Sequence, residues 1–254
     1  MKQRLDQLLV ARGLAENRSK AQAFIMAGLV FSEEVKLDKA GAMVADTIPL
    51  TLRGREHPWV SRGGMKLAHA LQHFQRVPSG VIALDVGAST GGFTDVLLTH
   101  GAAKVYAVDV GHGQLDVKLR HDPRVVVMEE TNARHLTPAQ IAEALDWIVC
   151  DASFISLTKV LPAALALAKP GATLITLIKP QFEVGKAEVS RGKGVIRDPA
   201  LHQQVCRDIA AWIGGQGWQV HGITESPITG PKGNIEFLLL AEKHAAYANS
   251  RSIE

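Results

Sequence analysis

A glycine-rich segment with an acidic residue on either side is the part of the sequence that most clearly suggests chemistry. Asp85 is the last residue but one of the apolar run VIALDV, the segment GASTGG follows at residues 87–92, and Asp109 has the same place in another apolar run, 24 residues after Asp85 (109 − 85). Glycines let the backbone approach a ligand closely, and a carboxylate at a strand end can accept the hydroxyls of a ribose. S-adenosylmethionine (SAM) carries two cationic groups and a ribose, so the pattern favours a SAM site.

Two common phosphate-binding motifs do not fit this segment. GxxxxGK[ST] is absent because no lysine follows Gly92, and GxGxxG fails because three residues separate Gly87 from the next glycine. A third apolar run is followed by Asn132, whose amide can meet the edge of an adenine. The predicted SAM-binding residues are Asp85, Gly87, Ala88, Ser89, Thr90, Gly91, Gly92, Phe93, Asp109 and Asn132. The alternative is that the two aspartates only form turns at strand ends.

Charged residues also lie at the ends of three later apolar runs. Asp151 follows the run LDWIVC, Lys179 follows TLITLI, and Glu236 precedes FLLL. Lysines rarely lie beside a buried sheet unless they are paired with an acid. Two interpretations of each residue remain, a satisfied ion pair at the edge of a sheet or a catalytic group. Lys66, in the helical stretch MKLAHALQHF, is by itself interpreted as a solvated lysine.

The elements that must position these residues alternate between strand and helix. Nearly continuous apolar runs predict strands buried on both faces, and helical stretches lie between them. The predicted strands are VIALDV, KVYAVDV, RVVVME, LDWIVCDA, TLITLIK, GWQVHGITE and NIEFLLLAE, and the predicted helices are GFTDVLLTH, TPAQIAEAL, LTKVLPAALALA and DPALHQQVCRDIAAWI. This alternation is typical of an α/β fold with a doubly wound, mostly parallel sheet, which binds ligands beyond the carboxyl ends of its strands.

The first sixty residues have a different pattern. Leucines at helical spacing, a basic turn and a second apolar helix predict a two-helix unit capped by short strands, with Asn17 and Gly28 at the ends of the second helix. Residues 1–20 hold five basic and two acidic residues, which makes this face a candidate for binding phosphates. The alternative is a solvated helix face. The predicted boundaries are 1–58 for this unit, 59–64 for a linker, 65–245 for the α/β domain and 246–254 for a tail.

Composition excludes several classes of protein. The chain has 254 residues, a formal net charge of +3, 46% hydrophobic residues and two cysteines, which excludes a disulfide framework and a disordered chain. No Cys or His spacing suits a metal, and no metal is expected. The N-terminus lacks the features of a signal peptide, and no apolar run reaches the ~18 residues needed to span a bilayer. We therefore expect a soluble, cytoplasmic protein that does not insert into membranes.

The whole set of motifs resembles the TlyA family, which joins an S4-type RNA-binding domain to an FtsJ/RrmJ-like SAM-dependent methyltransferase. The motifs that carry the resemblance are RLDQLLVARGLAENRSKAQAFIMAGLV, VSRGGMKL, LDVGASTGGFTDVLL, AVDVG, CDASFISL, LIKPQFE, RGKGVIRDP and GPKGNIEFLL, in this order. The resemblance implies a Rossmann-like class I methyltransferase with seven strands and a small α+β S4 domain. One departure is the turn after the second helix, where the usual V-x-V-N-G is VFSEE, residues 30–34.

The resemblance also implies a reaction and a catalytic set. FtsJ-like enzymes methylate a ribose 2′-hydroxyl with a Lys-Asp-Lys-Glu set, which falls on Lys66, Asp151, Lys179 and Glu236. Lysine is a base only if desolvation or a second cation lowers its pKa. The hypothesis is that Lys179 contacts the 2′-hydroxyl and that Lys66 is close enough to lower its pKa, with Asp151 and Glu236 orienting both lysines. The implied substrates are cytidines of ribosomal RNA in the large subunit, and in some members also in the small subunit.

Basic residues outside the catalytic set are expected to hold the RNA. The segment GKAEVSRGKGVIR follows the fifth predicted strand, and its glycines and basic residues suit RNA phosphates, although a solvated loop is the alternative. The predicted RNA-binding residues are Arg4, Arg12, Arg18, Lys20, Arg62, Lys186, Arg191, Lys193 and Arg197. Three alternative functions remain open at this point: a hemolysin, a name also used in this family, a SAM-dependent enzyme with another substrate, and an inactive RNA-binding protein.

Overall fold

The computed structural model describes residues 2–26, 28–52 and 57–245, apart from the side chains of residues 186, 187, 191 and 231. The chain divides after Pro58 into two compact units. The tail predicted at 246–254 lies outside the described residues.

The N-terminal unit packs two helices against short strands, as expected for an S4 domain. Its helices are α1 (Leu5–Ala11) and α2 (Arg18–Met26), and its strands are β1 (Lys2–Arg4), β2 (Val30–Ser32), β3 (Val35–Lys36), β4 (Met43–Ala45) and β5 (Thr51–Leu52). Leu5, Leu9 and Ile25 form the centre of its small core. The side chain of Asn17 accepts a hydrogen bond from the Lys20 N–H at 2.9 Å, which confirms the predicted N-cap of α2.

The turn between β2 and β3 contains the departure from the S4 pattern. Glu33 has a φ of 52°, in the left-handed region where Asn and Gly are favoured. The hairpin nevertheless forms, with Ser32 paired to Val35 and Phe31 paired to Lys36. The acidic residues therefore change the surface of this turn and leave its backbone path intact.

The C-terminal unit is built on a seven-stranded sheet, which confirms the predicted fold class. Its strands are β6 (Ile82–Val86), β7 (Lys104–Val108), β8 (Val125–Met128), β9 (Leu145–Cys150), β10 (Ala168–Ile178), β11 (Trp218–Glu225) and β12 (Phe237–Lys243), and their order is β11-β12-β10-β9-β6-β7-β8. The five strands from β10 to β8 are parallel, whereas β12 runs antiparallel to both of its neighbours. Consecutive residues of β6 belong to different apolar clusters, so the sheet has a core on each face.

Helices cover both faces of this sheet. They are α3 (Gly63–His73), α4 (Gly92–Thr99), α5 (Val117–Arg120), α6 (Leu157–Val160), α7 (Pro162–Ala166), α8 (Pro180–Glu183), α9 (Lys186–Arg191) and α10 (Pro199–Gly215). The predicted helices at α4 and α10 are confirmed, and Asp198 caps α10 by accepting the Ala200 N–H at 2.9 Å.

One helix prediction is wrong and another is confirmed in two pieces. Residues 137–144 form turns that lead into β9: the Gln140 side chain accepts the Thr137 N–H as at the start of a helix, but only one turn forms before the chain pairs with β10 at Leu145. The stretch predicted at 157–168 forms two short helices, with Leu161 between them and Pro162 starting the second, and enters β10 at Ala168.

The segment predicted as a linker, 59–64, lies within the C-terminal unit. Trp59 and Val60 are partly buried against the apolar cluster under α3 and α4, and α3 itself begins at Gly63. The Val60 N–H donates to the buried Asp95 carboxylate of α4 at 2.9 Å. Apolar packing and this hydrogen bond therefore hold the segment on the α/β unit.

Candidate active site

The four residues of the predicted catalytic set lie together at one edge of the sheet. Asp151 and Lys179 follow the carboxyl ends of the parallel strands β9 and β10, and Lys66 projects from α3. Glu236 comes just before β12, and because β12 is antiparallel its start lies at that same edge. All four side chains line one cavity of about 200 Å³.

These four side chains form a chain of alternating charges. The Lys66 Nζ lies 2.8 Å from Glu236 Oε2 and 3.3 Å from Asp151 Oδ2. On the other oxygen of Asp151, Oδ1, the Lys179 Nζ lies at 2.6 Å, and it also donates to the Asp151 carbonyl at 3.1 Å and the Ser153 hydroxyl at 2.8 Å. Both lysines and Glu236 are less than 10% exposed, so each charge depends on its partner.

A second cavity of about 400 Å³ adjoins the first. The two cavities share Gly87, Ser89, Asp151 and Ser153 in their linings. The larger one combines the Asp109 carboxylate and the Asn132 amide with apolar side chains. Those apolar residues are Val86, Val108, Val110, Ala133, Ala152, Phe154, Ile155 and Val160. A carboxylate at one point of a mostly apolar cavity suits a nucleoside, which has ribose hydroxyls and an apolar ring face.

The glycine-rich segment forms the wall between these cavities. Gly87 has a φ of 82°, and a Cβ there would lie 2.9 Å from the Ala152 Cα, so only glycine lets the segment pack against the loop after β9. Asp109 accepts the Ser89 N–H at 2.8 Å and the Gly111 N–H at 2.7 Å. One carboxylate therefore fixes two loops around the cavity.

Most of the predicted SAM-binding residues line one of the two cavities, and Asp85 and Gly91 do not. Asp85 is fully buried, where its Oδ2 accepts the Thr94 hydroxyl at 2.7 Å, and burial raises its pKa to about 7. Gly91 has a φ of 93° at the N-cap of α4 and faces leucine side chains. Asp85 thus lies beneath the glycine-rich segment and supports it through α4.

The cavities also contain residues that the sequence did not indicate. Ser61 and Ser153 line the smaller cavity, and Gln114 and Phe154 line the larger one. Phe154 is 90% exposed and has a φ of 64°, a strained conformation for an aromatic residue. Of these four residues, only Ser153 and Phe154 had a weak signal in the sequence, since they fall inside the motif CDASF.

Glu129 holds the loop that carries Gln114 to the cavity. Its carboxylate accepts the N–H groups of Gly113, Gln114 and Leu115 at 2.8–3.1 Å. Arg120 donates to the same carboxylate at 2.7 Å. The bond from Arg120, followed by those from the loop, lowers the pKa of Glu129 to about 2. Sequence analysis assigned no role to this residue.

In the N-terminal unit, two of the predicted RNA-binding arginines share a buried partner. Arg4 binds Asp6 through two nitrogens at 3.1 and 3.0 Å, and Arg18 Nε binds it at 2.9 Å. The hydrogen bond from Arg4 holds the pKa of Asp6 well below its usual range. Arg12 instead donates to the carbonyls of Asp46 and Ile48. The four predicted residues of this unit therefore do not converge on one point.

The other predicted RNA-binding residues lie in the C-terminal unit. Arg62 is exposed where α3 begins, and Lys193 and Arg197 are exposed after α9. The side chains of Lys186 and Arg191 lie outside the described residues.

The described ranges contain neither a metal-binding cluster nor a helix suited to a membrane. No group of three or more His, Cys, Asp and Glu side chains in those ranges is arranged to hold a metal ion. No helix there is both long and apolar enough to cross a membrane.

Comparison with known proteins agrees with this geometry. The family model of the FtsJ-like methyltransferases matches residues 59–243, and the model of the S4 domain matches residues 3–45. The chain is 49% identical over 239 residues to "Putative rRNA methyltransferase YqxC" of Bacillus subtilis, covering 94% of this chain and 85% of the relative. It is 48% identical over 237 residues to the 16S/23S rRNA (cytidine-2'-O)-methyltransferase TlyA of Mycobacterium tuberculosis, covering 93% and 88%.

A solved structure covers both units. It is described as "Putative hemolysin" from Streptococcus thermophilus and matches with a TM-score of 0.76 and 42% identity, over 96% of this chain and 89% of that one. The chain therefore belongs to the TlyA family, whose members join an S4 domain to an FtsJ-like methyltransferase domain.

Proposed function

We propose that this protein transfers a methyl group from SAM to the ribose 2′-oxygen of cytidines in ribosomal RNA, in 23S and also in 16S RNA. The observation that carries the proposal is the network Lys66–Asp151–Lys179–Glu236 in a cavity that shares a wall with a nucleoside-sized cavity. The Mycobacterium tuberculosis relative, at 48% identity, is named for this reaction on both RNAs. Ribosomal subunits are then the partners and the cytoplasm is the location.

The larger cavity is the proposed SAM site. Each oxygen of the Asp109 carboxylate accepts one loop N–H and keeps a second lone pair, so it can also accept a ribose hydroxyl. Asn132 lines the same cavity and offers its amide to the edge of the adenine. The donor set and the apolar lining thus fit the adenosine part of SAM. Asp85 acts indirectly, through the support that it gives to the segment 87–92.

The smaller cavity is the proposed site of proton removal. When bound, SAM supplies a methyl group that is already activated by a sulfonium. A ribose hydroxyl is a weak nucleophile, so it needs a positioned base. Lys179 takes the hydroxyl proton after its ammonium group, paired with Asp151, has released one proton to solvent, and the Asp151 carbonyl and the Ser153 hydroxyl hold its Nζ in place. Lys66 stays paired with Asp151 and Glu236 and fixes the direction of the Asp151 carboxylate.

The RNA is proposed to bind both units. Residues 1–58 act as the S4 domain, whose surface carries Arg4, Arg12, Arg18 and Lys20, and residues 65–245 perform the methylation. Exposed Arg62, Lys193 and Arg197 contact phosphates close to the catalytic cavity, together with Lys186 and Arg191. The exposure of the three described side chains supports this role.

Methyl transfer to ribosomal subunits tests the proposal. Purified protein is mixed with SAM carrying a labelled methyl group and with unmodified 50S or 30S subunits, in separate reactions. We expect labelled RNA in both. Absence of label from both reactions, with a protein that binds SAM, would mean that the substrate is not ribosomal RNA.

A hemolysin remains the second candidate, because one similar structure carries that description. A lytic protein has no need of a paired-lysine site next to a nucleoside-sized cavity, so the site favours the methyltransferase. Leakage of a dye from liposomes in the presence of the purified protein would favour the hemolysin.

A further inference from the structure

Asn234 connects two loops at the catalytic edge of the C-terminal unit. It is 4% exposed and lies two residues before Glu236. Its side-chain Oδ1 accepts the buried Ile196 N–H at 3.1 Å, and its Nδ2 donates to the Gly194 carbonyl at 3.0 Å. The side-chain amide therefore both accepts a hydrogen bond from, and donates one to, the backbone after α9.

The loop that contains Asn234 also lies directly against the catalytic carboxylate. The Gly230 N–H donates to the Asn234 carbonyl at 2.8 Å, which closes a tight turn. A methyl group at Gly230 would overlap the Glu236 carboxyl group, so the turn forms one wall of the Glu236 site. The Ser226 N–H donates to the Glu236 carbonyl at 2.9 Å and fixes the backbone beyond the turn. The position of Glu236 thus depends on the turn that Asn234 closes.

The segment that Asn234 holds is the one proposed to bind RNA. Lys193 and Arg197 are exposed on either side of Gly194 and Ile196, the two residues that bond Asn234. Phosphates bound at the two basic residues would therefore be held at a fixed distance from Glu236. The buried Asn234 side chain therefore links this segment to the turn that precedes Glu236.

We propose that Asn234 is a positioning residue for the methyl transfer. It keeps the basic segment after α9 at a fixed position relative to the carboxylate of Glu236. The inference rests on the proposed function, since it assigns the segment to RNA. Asn234 acts through Glu236, which in turn holds Lys66. Loss of the amide lets the two loops move independently, and a misplacement of about 1 Å in a catalytic arrangement can cost about a hundredfold in rate.

The test compares Asn234→Ala and Asn234→Asp with the wild-type chain. Asn234→Asp keeps the oxygen that accepts the Ile196 N–H and loses the donor to Gly194. The readouts are kcat at saturating ribosomal subunits, KM for the subunits and the Kd for SAM. We expect Asn234→Ala to lower kcat by about tenfold to a hundredfold and to raise KM, while the Kd for SAM stays within about twofold. Asn234→Asp should be intermediate in kcat.

A control variant loosens the same segment without affecting Glu236. Asp198→Ala removes the side-chain hydrogen bond that caps α10 at the far end of the segment. We expect it to keep kcat within about twofold of wild type. Equal losses of kcat in Asp198→Ala and Asn234→Ala would overturn the inference, as would a wild-type kcat in Asn234→Ala. If Asn234→Ala fails to bind SAM because it does not fold, Asn234→Asp decides: a lowered kcat supports the inference and a wild-type kcat overturns it.

The same experiment separates this inference from the proposed function. If the wild-type chain transfers no methyl group to either subunit, the proposed function fails and the inference fails with it. If the wild type is active and both Asn234 variants match it, the inference alone fails.

Discussion

Lys179 is the residue on which the proposed chemistry depends most. Its Nζ is fixed by the Asp151 carboxylate, the Asp151 carbonyl and the Ser153 hydroxyl, and the side chain is almost fully buried. Because these contacts already order the lysine side chain, it does not have to lose rotamer freedom when it reacts. The residue types and their places at strand ends were predictable from the sequence. That Asp151 orients both lysines was expected from the family resemblance, whereas the oxygen that each lysine binds was not predictable, because it depends on how α3 meets the sheet.

The first prediction concerns Lys179→Ala. We expect loss of methyl transfer by a factor of about a hundred or more, because the base is removed, with a Kd for SAM close to that of wild type. Asp151 keeps Lys66 as a partner, so the variant should fold. Lys169→Ala serves as the control, since Lys169 lies near the other end of β10 and also pairs with an aspartate, Asp146. Similar rates in Lys179→Ala and Lys169→Ala would contradict the assignment.

The second prediction concerns the pH dependence of stability. The pKa of Asp85 is about 7 in the folded protein and 3.8 is its ordinary value. Between these two values the unfolded chain binds fewer protons at this residue than the folded chain, so Asp85 lowers the free energy of unfolding as pH rises. In Asp85→Asn this contribution is absent. The melting temperature of the variant should therefore fall less than that of wild type between about pH 4 and about pH 8. If the two proteins gave parallel curves of melting temperature against pH, the pKa of Asp85 would not be raised.

At the scale of elements, the sheet and its loops explain why distant residues meet. Parallel strands bring Asp85, Asp109, Asp151 and Lys179 to one edge, and the pattern of apolar runs was enough to predict this. The direction of β12 was not predictable, although it decides on which edge Glu236 lies. The helix predicted at 137–145 stops after one turn because the chain enters β9 at Leu145, although the bond from Thr137 to Gln140 is typical of a helix start. Apolar periodicity predicts which residues are buried better than it predicts where a helix ends.

The third prediction concerns the loop held by Glu129. Glu129→Gln removes the charged acceptor of three loop N–H groups, so the loop that carries Gln114 should lose its fixed position. We expect the affinity for SAM to fall by about tenfold, as measured by calorimetry. Glu130→Gln is the control, because Glu130 is exposed and pairs with exposed His112. An unchanged Kd for SAM in Glu129→Gln would show that the loop does not contribute to the site.

The contribution of Glu129 to stability changes with pH in the opposite direction to that of Asp85. Its pKa is lowered from 4.5 to about 2, so its contribution to stability is fully present above 4.5 and is lost as pH falls towards 2. In Glu129→Gln the stability should therefore decline less between these two values than in wild type. Identical acid unfolding of the two proteins would contradict this assignment.

At the scale of the whole molecule, a small basic unit accompanies a larger catalytic one. The net charge is only +3, so attraction to RNA must come from local basic surface instead of from the total charge. The sequence predicted the basic residues of the S4 domain. It did not show that Asp6 partly neutralises Arg4 and Arg18 while fixing their guanidinium groups.

The fourth prediction concerns salt. The double variant Arg4→Ala/Arg18→Ala should bind ribosomal subunits more weakly at low salt, and the slope of log affinity against log salt should decrease by about 1 for each lost phosphate contact. Arg207→Ala, an exposed arginine of α10, is the control and should leave the slope unchanged. A wild-type slope in the double variant would remove these arginines from the RNA interface.

The most direct test of the central claim is to determine which atom of the RNA receives the methyl group. Ribosomal RNA is recovered after reaction with wild type and with Lys179→Ala, digested to nucleosides and analysed by mass spectrometry. We expect 2′-O-methylcytidine with the wild type and none with Lys179→Ala, from proteins that bind SAM equally well. Methylation of a base, or 2′-O-methylcytidine formed equally by both proteins, would contradict the claim that the Lys66–Asp151–Lys179–Glu236 network methylates a ribose.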